Sequence, residues 1–163
     1  MNRTRRALFA SAGLVLIASL GCWAAQSSGP LTYRLVVKPG DLTLAAKAAA
    51  GNPAPPHEES IAFTVINSTD TDYEGIAQSC QIFDVEIFLL GPSGEKSVWR
   101  WSHGQMFCQH VTTVVIPAGL TWEQTVKWDF IPANVQDGKY RVDATFIPSN
   151  AVASADFEIH SPH

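Results

Sequence analysis

The 163-residue sequence predicts an all-β domain, an antiparallel β-sandwich of about seven to eight strands, preceded by an export signal. Three observations lead there. Apolar and polar residues alternate through most of the chain after residue 31, the period-two signature of half-buried strands. Gly, Pro, Asn and Asp clusters interrupt that alternation at short, regular intervals. Helical periodicity is nearly absent, so two sheets must bury their apolar faces against each other. Hydrophobic residues make up 46% and charged residues 16%, which excludes a disordered or fibrous chain, and the length suits one domain with a sizeable core.

Residues 1–22 stand apart from that domain. Arg3, Arg5 and Arg6 form a basic n-region, Ala7 to Leu20 is an uncharged apolar run, and Gly21-Cys22 follows. This is the layout of an export signal, and the run is shorter than the roughly 20 apolar residues a spanning helix needs. Gly21-Cys22 after Ser19-Leu20 resembles the lipobox of bacterial lipoproteins, whose cysteine is lipidated, although Leu20 stands one place late for that motif. Ordinary cleavage between Ala24 and Ser27 is the alternative. Thr4-Arg5-Arg6-Ala7-Leu8-Phe9 also resembles a twin-arginine export motif. The expected location is the cell envelope or periplasm, with Cys22 as lipid anchor, or the exterior. Loss of the signal leaves eight basic against fifteen acidic side chains, a net charge of about −7. Such a chain, without a basic stripe, argues against nucleic acid, whose binders neutralise phosphates with Lys and Arg. Contact with a membrane is expected only through the lipid.

Residues 23–30 read as a polar tether, and 31–163 as the single domain. Leu31 to Val37 is the first strand, ended by Pro39-Gly40. Residues 41–57 are ambiguous between a loop and a short helix that Gly51-Asn52-Pro53 must stop. Ile61 to Asn67 places Ile61, Phe63 and Val65 on one face, and Asn67 to Asp72 is a turn cluster. Ile82 to Leu90 and Ser97 to Trp101 flank a hairpin loop at residues 91–96. Val111 to Ile116, Thr121 to Phe130, Tyr140 to Ile147 and Val152 to Ile159 complete the set, punctuated by Pro117-Ala118-Gly119 and Asp137-Gly138-Lys139. Strands of this number and spacing favour an immunoglobulin-like arrangement.

Chemistry-bearing residues are few. Cys80 and Cys108 are the cysteines left beside Cys22, and two cysteines in an oxidising compartment usually pair. That bridge is worth about 3.5 kcal/mol in the chain-entropy view; two buried free thiols are the alternative. His103, Cys108 and His110 form a thiolate–imidazole set that suits zinc, but no carboxylate or second cluster lies near, and a bridged Cys108 cannot donate a thiolate. No cofactor is expected. Ser102 and His103 are adjacent, so on an extended strand they diverge rather than form a nucleophile–base pair. No Gly-x-Ser-x-Gly elbow, phosphate loop or His-Glu-x-x-His motif is present, and the chain is read as non-enzymatic. Asp70 and Asp72 read as turn formers rather than a calcium loop, and the formal sequon Asn67-Ser68-Thr69 is given no weight beside a bacterial-type signal.

The segment Trp99-Arg100-Trp101-Ser102-His103-Gly104-Gln105-Met106-Phe107 is the most distinctive. With Asn67-Ser68-Thr69, Gln81 to Val85, Pro117-Ala118-Gly119, Trp128-Asp129 and Gly138-Lys139-Tyr140, it resembles the ordered landmarks of the BsuPI-type intracellular proteinase inhibitor domain, over about residues 58–147. The resemblance implies an immunoglobulin-like sandwich and a protein partner, a bacterial serine protease in the founding case. The export signal and Cys80 and Cys108 depart from that pattern. Trp99 and Trp101 share a face, so with Met106, Phe107, Trp128 and Tyr140 they read as core residues that fix a hairpin. Arg100, pointing the other way, either pairs with a carboxylate across the sheet or meets a partner. Arg100, Ser102, His103, Gly104 and Gln105 are the candidate binding surface, since arginine and aromatic residues dominate interface energetics. Three functions are thus carried forward: an exported proteinase-inhibitor module, an adaptor lipoprotein without inhibition, and a metal-binding envelope protein.

Overall fold

The computed structural model describes residues 23–38, 57–130 and 136–160. The export signal with Cys22, and the ambiguous stretch up to residue 56, lie outside the described residues. Ten strands are described: β1 (Trp23–Ser28), β2 (Leu31–Lys38), β3 (His57–Asn67), β4 (Tyr73–Ala77), β5 (Phe83–Gly91), β6 (Gly94–Arg100), β7 (Thr112–Ile116), β8 (Thr121–Phe130), β9 (Gly138–Phe146) and β10 (Ala151–Ile159). One 3₁₀ turn, Ile147–Ser149, joins the last two. The first sheet runs β1-β2-β3-β8 and the second β10-β9-β5-β6, with a separate β4-β7 ribbon. Every pairing is antiparallel. The all-β sandwich is therefore as the sequence predicts, with two more strands than expected.

The first extra strand replaces the expected tether. Residues 23–28 pair with β2, Ser28 opposite Leu31, leaving Gly29-Pro30 as a two-residue turn. Gly29 has φ +65°, which a type II′ hairpin turn requires at its first central position. The second extra strand, β4, reads Tyr-Glu-Gly-Ile-Ala and turns its small residues inward. A Cβ on Gly75 would lie 2.6 Å from Pro148 Cβ, so only glycine lets this strand pass the 3₁₀ turn.

Alternation sets the core. Leu31, Tyr33, Leu35 and Val37 of β2, with Ile61, Phe63 and Val65 of β3, face Val85 and Ile87 of β5 and Val142, Ala144 and Phe146 of β9. Trp128 sits between the sheets, its ring 6.4 Å from Trp99, 5.9 Å from Tyr140 and 6.2 Å from Phe157. Asn67 is fully buried yet satisfied: its side-chain nitrogen donates to the carbonyls of Thr71 and Ile116, and its oxygen accepts from the Thr69 amide and hydroxyl. The sequon is thus a turn lock with an inaccessible acceptor. Asp72 accepts from the Ala118 amide at 2.9 Å, tying two turns together as a turn former would.

Burial also raises the hydroxyl pKa of Tyr33, Tyr73 and Tyr140 above 10.0, outweighing the opposing hydrogen bonds to Ser149 and to the Gln136 carbonyl. The folded state therefore holds these protons more tightly than the unfolded chain. Their contribution to stability is complete below the unfolded value and is lost as pH rises through the folded values. Thermal midpoints are expected to fall as pH rises above 10.0, and a flat or rising profile there contradicts this.

Candidate functional site: a braced loop after β6

The distinctive segment begins as a strand edge. Ile87 pairs with Trp99 and Phe88 with Ser97, so Val98 is the extra residue of a β-bulge. Trp99 and Trp101 then face the core, as alternation predicts. Trp101 stacks on Phe83 with ring centroids 4.2 Å apart, and its amide donates to the Val85 carbonyl at 2.8 Å.

The opposite face holds a residue that in sequence is only one member of the Gln81 to Val85 landmark. Asp84 is buried, its side chain 5% exposed, on the outward side of β5. Its Oδ2 accepts from Arg100 Nε at 2.7 Å and from Ser102 Oγ at 2.8 Å. Its Oδ1 accepts from the amides of Val85 at 2.9 Å and Ser102 at 3.2 Å. The hydrogen bond from Arg100 to Asp84 outweighs the opposing effect of burial and, with the charges of Asp84 and Glu86, raises the Arg100 pKa above its ordinary value. Of the two roles open to Arg100, the pairing with a carboxylate is the one observed. A carboxylate preceding an aliphatic run is an ordinary strand residue in sequence; the bulge and the turn that cover it are visible only in three dimensions.

Beyond Trp101 the chain does not return as a hairpin. His103 N–H donates to the Arg100 carbonyl and Gln105 N–H to the Ser102 carbonyl, each at 3.1 Å. Gly104, with φ +81°, occupies the position where a type II turn needs positive φ. Phe107 then packs on Trp101 at 5.7 Å, and Cys108 forms a disulfide with Cys80, whose amide also donates to the Cys108 carbonyl at 3.2 Å. The chain is thereby carried across to β7, which pairs with β4 rather than β6.

The result is an exposed arch, His103-Gly104-Gln105-Met106, fixed at both feet. Met106, expected in the core, is 98% exposed at the arch. The correction has a simple cause: strand alternation ends at Arg100, and in the loop it no longer dictates a face. Trp128 and Tyr140 are buried as expected, while Trp99, Trp101 and Phe107 are partly buried. Among the candidate surface residues, Arg100 and Ser102 serve the foot of the arch, and His103, Gly104 and Gln105 form its exposed part.

Ser102 Oγ donates to Asp84 rather than to His103. Cys108 and His110 come together with Cys80, not with His103. A shallow cleft of about 240 Å³ is lined by Leu90, Lys139, Asp156, Phe157 and Glu158, none of them in the arch. Among the described residues no helix is long and apolar enough to cross a membrane.

Fold and loop together define a class: an antiparallel β-sandwich that presents one braced, exposed turn. Residues 42–151 match the model of the BsuPI intracellular proteinase inhibitor family, and the chain belongs to that family. The match contains all of β3 to β9, while β2, which supplies four core side chains, lies outside it. Inhibitors of this family are usually non-enzymatic, and their class implies a protease partner in general. No curated protein matches the chain. One similar solved structure is a β-glucosidase from Kluyveromyces marxianus in complex with glucose, at 12% identity and a TM-score of 0.37, covering 64% of this chain. This chain spans only 12% of that enzyme's length, and the likeness carries no functional argument.

Proposed function

We propose that this protein is an exported, non-enzymatic proteinase inhibitor that uses the arch His103-Gly104-Gln105-Met106 as its contact with a serine protease. Family membership supports the class of partner. One observation supports the site: four successive exposed residues stand between two fixed feet, Ser102 on Asp84 and Phe107-Cys108 on Trp101 and Cys80. A loop already held in one shape loses little conformational entropy on docking into a protease cleft. Met106 offers an unbranched apolar side chain that adapts to a hydrophobic subsite.

Export is part of the proposal. The basic n-region, the apolar run from Ala7 to Leu20 and Gly21-Cys22 support a signal at residues 1–22 and a lipid on Cys22. A disulfide suits an oxidising compartment. The protease would then be met in the cell envelope or outside the cell, not in the cytoplasm. Mass spectrometry of the mature N-terminus tests the anchor: a lipidated Cys22 is expected, and an unmodified terminus further along rejects it.

The function is tested by assaying the mature protein against subtilisin-like and trypsin-like proteases. Inhibition at micromolar concentration or below is expected. Its absence against the whole panel favours the adaptor-lipoprotein reading.

A further inference from the structure

The disulfide has a neighbour that the inhibitor reading does not use. His110 is exposed, and its Nε2 lies 3.6 Å from the sulfur of Cys80 and 3.6 Å from the sulfur of Cys108. These three side chains form a group whose donor atoms all lie within 4.8 Å of one another. We propose that Cys80, Cys108 and His110 form a redox-gated site for a soft divalent metal ion, closed while the disulfide is intact and opened by reduction.

The spacing supports this. A tetrahedral zinc ion with Zn–S of about 2.3 Å and Zn–N of about 2.0 Å places each sulfur roughly 3.5 Å from the nitrogen. Nε2 already stands at that separation from both sulfurs, so only the sulfurs need to part, to about 3.8 Å, once their bond is broken. The backbone holds the two cysteines together without the disulfide, through the Cys80 amide and the Cys108 carbonyl at 3.2 Å, and their Cα atoms are 5.2 Å apart. Two thiolates and one imidazole leave a fourth position to water, and the exposure of His110 provides the entry path.

The chemistry balances with a dithiol as the reductant. Its thiolate attacks one sulfur, the Cys80–Cys108 bond breaks, and a mixed disulfide forms. Its second thiol resolves that intermediate, leaving two protein thiols and an oxidised, cyclic disulfide of the reductant. On binding the divalent ion, the two thiols release two protons to solvent, and neutral His110 donates its Nε2 lone pair.

The test uses the full mature chain, oxidised or reduced under anaerobic conditions and freed of reductant, with Co²⁺ and Zn²⁺ as the probes. Circular dichroism establishes that the reduced protein remains folded. Reduced protein is expected to bind about one ion per chain, to show a thiolate-to-cobalt charge-transfer band and to lose that band when Zn²⁺ is added. Oxidised protein is expected to show neither band nor binding. His110→Ala, at an exposed position, should weaken binding at least about tenfold and leave the fold intact. The proposal is overturned by equal binding in the oxidised form, by no band in the reduced form, or by unchanged affinity in His110→Ala. Unfolding of the reduced chain overturns it as well, because the site depends on the folded pairing of Cys80 and Cys108.

Discussion

Replacing Trp128 with alanine is expected to destabilise the domain by about 3–5 kcal/mol, the range for deleting a buried aromatic side chain. Trp128 is 4% exposed and belongs to β8 of the first sheet, while its aromatic neighbours Trp99, Tyr140 and Phe157 belong to β6, β9 and β10 of the second. Its removal opens a cavity where the sheets meet, and rings fixed on three different strands cannot collapse to fill it. Beyond its buried area, aromatic edge and offset contacts add about 0.5–1.5 kcal/mol per pair. Urea denaturation of the disulfide-intact protein measures the effect. A loss below about 1.5 kcal/mol contradicts the cross-sheet role.

Replacing Asp84 with alanine should cost about 2–3 kcal/mol and loosen the arch. The carboxylate accepts hydrogen bonds from Arg100, Val85 and two groups of Ser102, and its loss leaves those donors to find water or remain unpaired. Breaking a fully buried ion pair typically costs about 3–5 kcal/mol. Here the Arg100 side chain is 44% exposed, so water can take over its charge, and the lower range follows. Hydrogen exchange at the Ser102 and Gln105 amides should accelerate relative to the β5–β9 core. A double-mutant cycle with Arg100→Ala isolates the pair, for which a coupling of about 0.5–3 kcal/mol is expected. Coupling near zero together with unchanged exchange would show that Asp84 does not brace the loop.

Legibility followed the physics of each element. β2, β3, β5 and β8 to β10 announce themselves because one face of each is apolar and the other polar. β4 does not, because it turns Gly75 and Ala77 inward and leaves Ile76 58% exposed, the reverse of the usual alternation. β1 precedes a Gly-Pro turn that the sequence displays, but at six residues ending in Gln26-Ser27-Ser28 it reads as a linker. In the candidate site, the inward tryptophans were readable from spacing, and the cysteine pairing from the expectation of an oxidising compartment. The path of the chain after Trp101 was not, since it depends on the Cys80–Cys108 bridge drawing the loop toward β7. The role of Asp84 was hidden because Arg100 and Ser102, which set it, lie on β6 and the turn after it, 16 and 18 residues away.

The central claim is that the arch is the protease contact, and inhibition by an arch variant tests it most directly. Met106→Asp places a charge at a fully exposed position, so the thermal midpoint should stay within about 1 kcal/mol equivalent of the parent. Against a protease that the parent chain inhibits, this variant is expected to lose affinity at least about tenfold, a change of about 1.4 kcal/mol. Inhibition equal to the parent's, at unchanged stability, would contradict the assignment and move the contact to another surface of the sandwich.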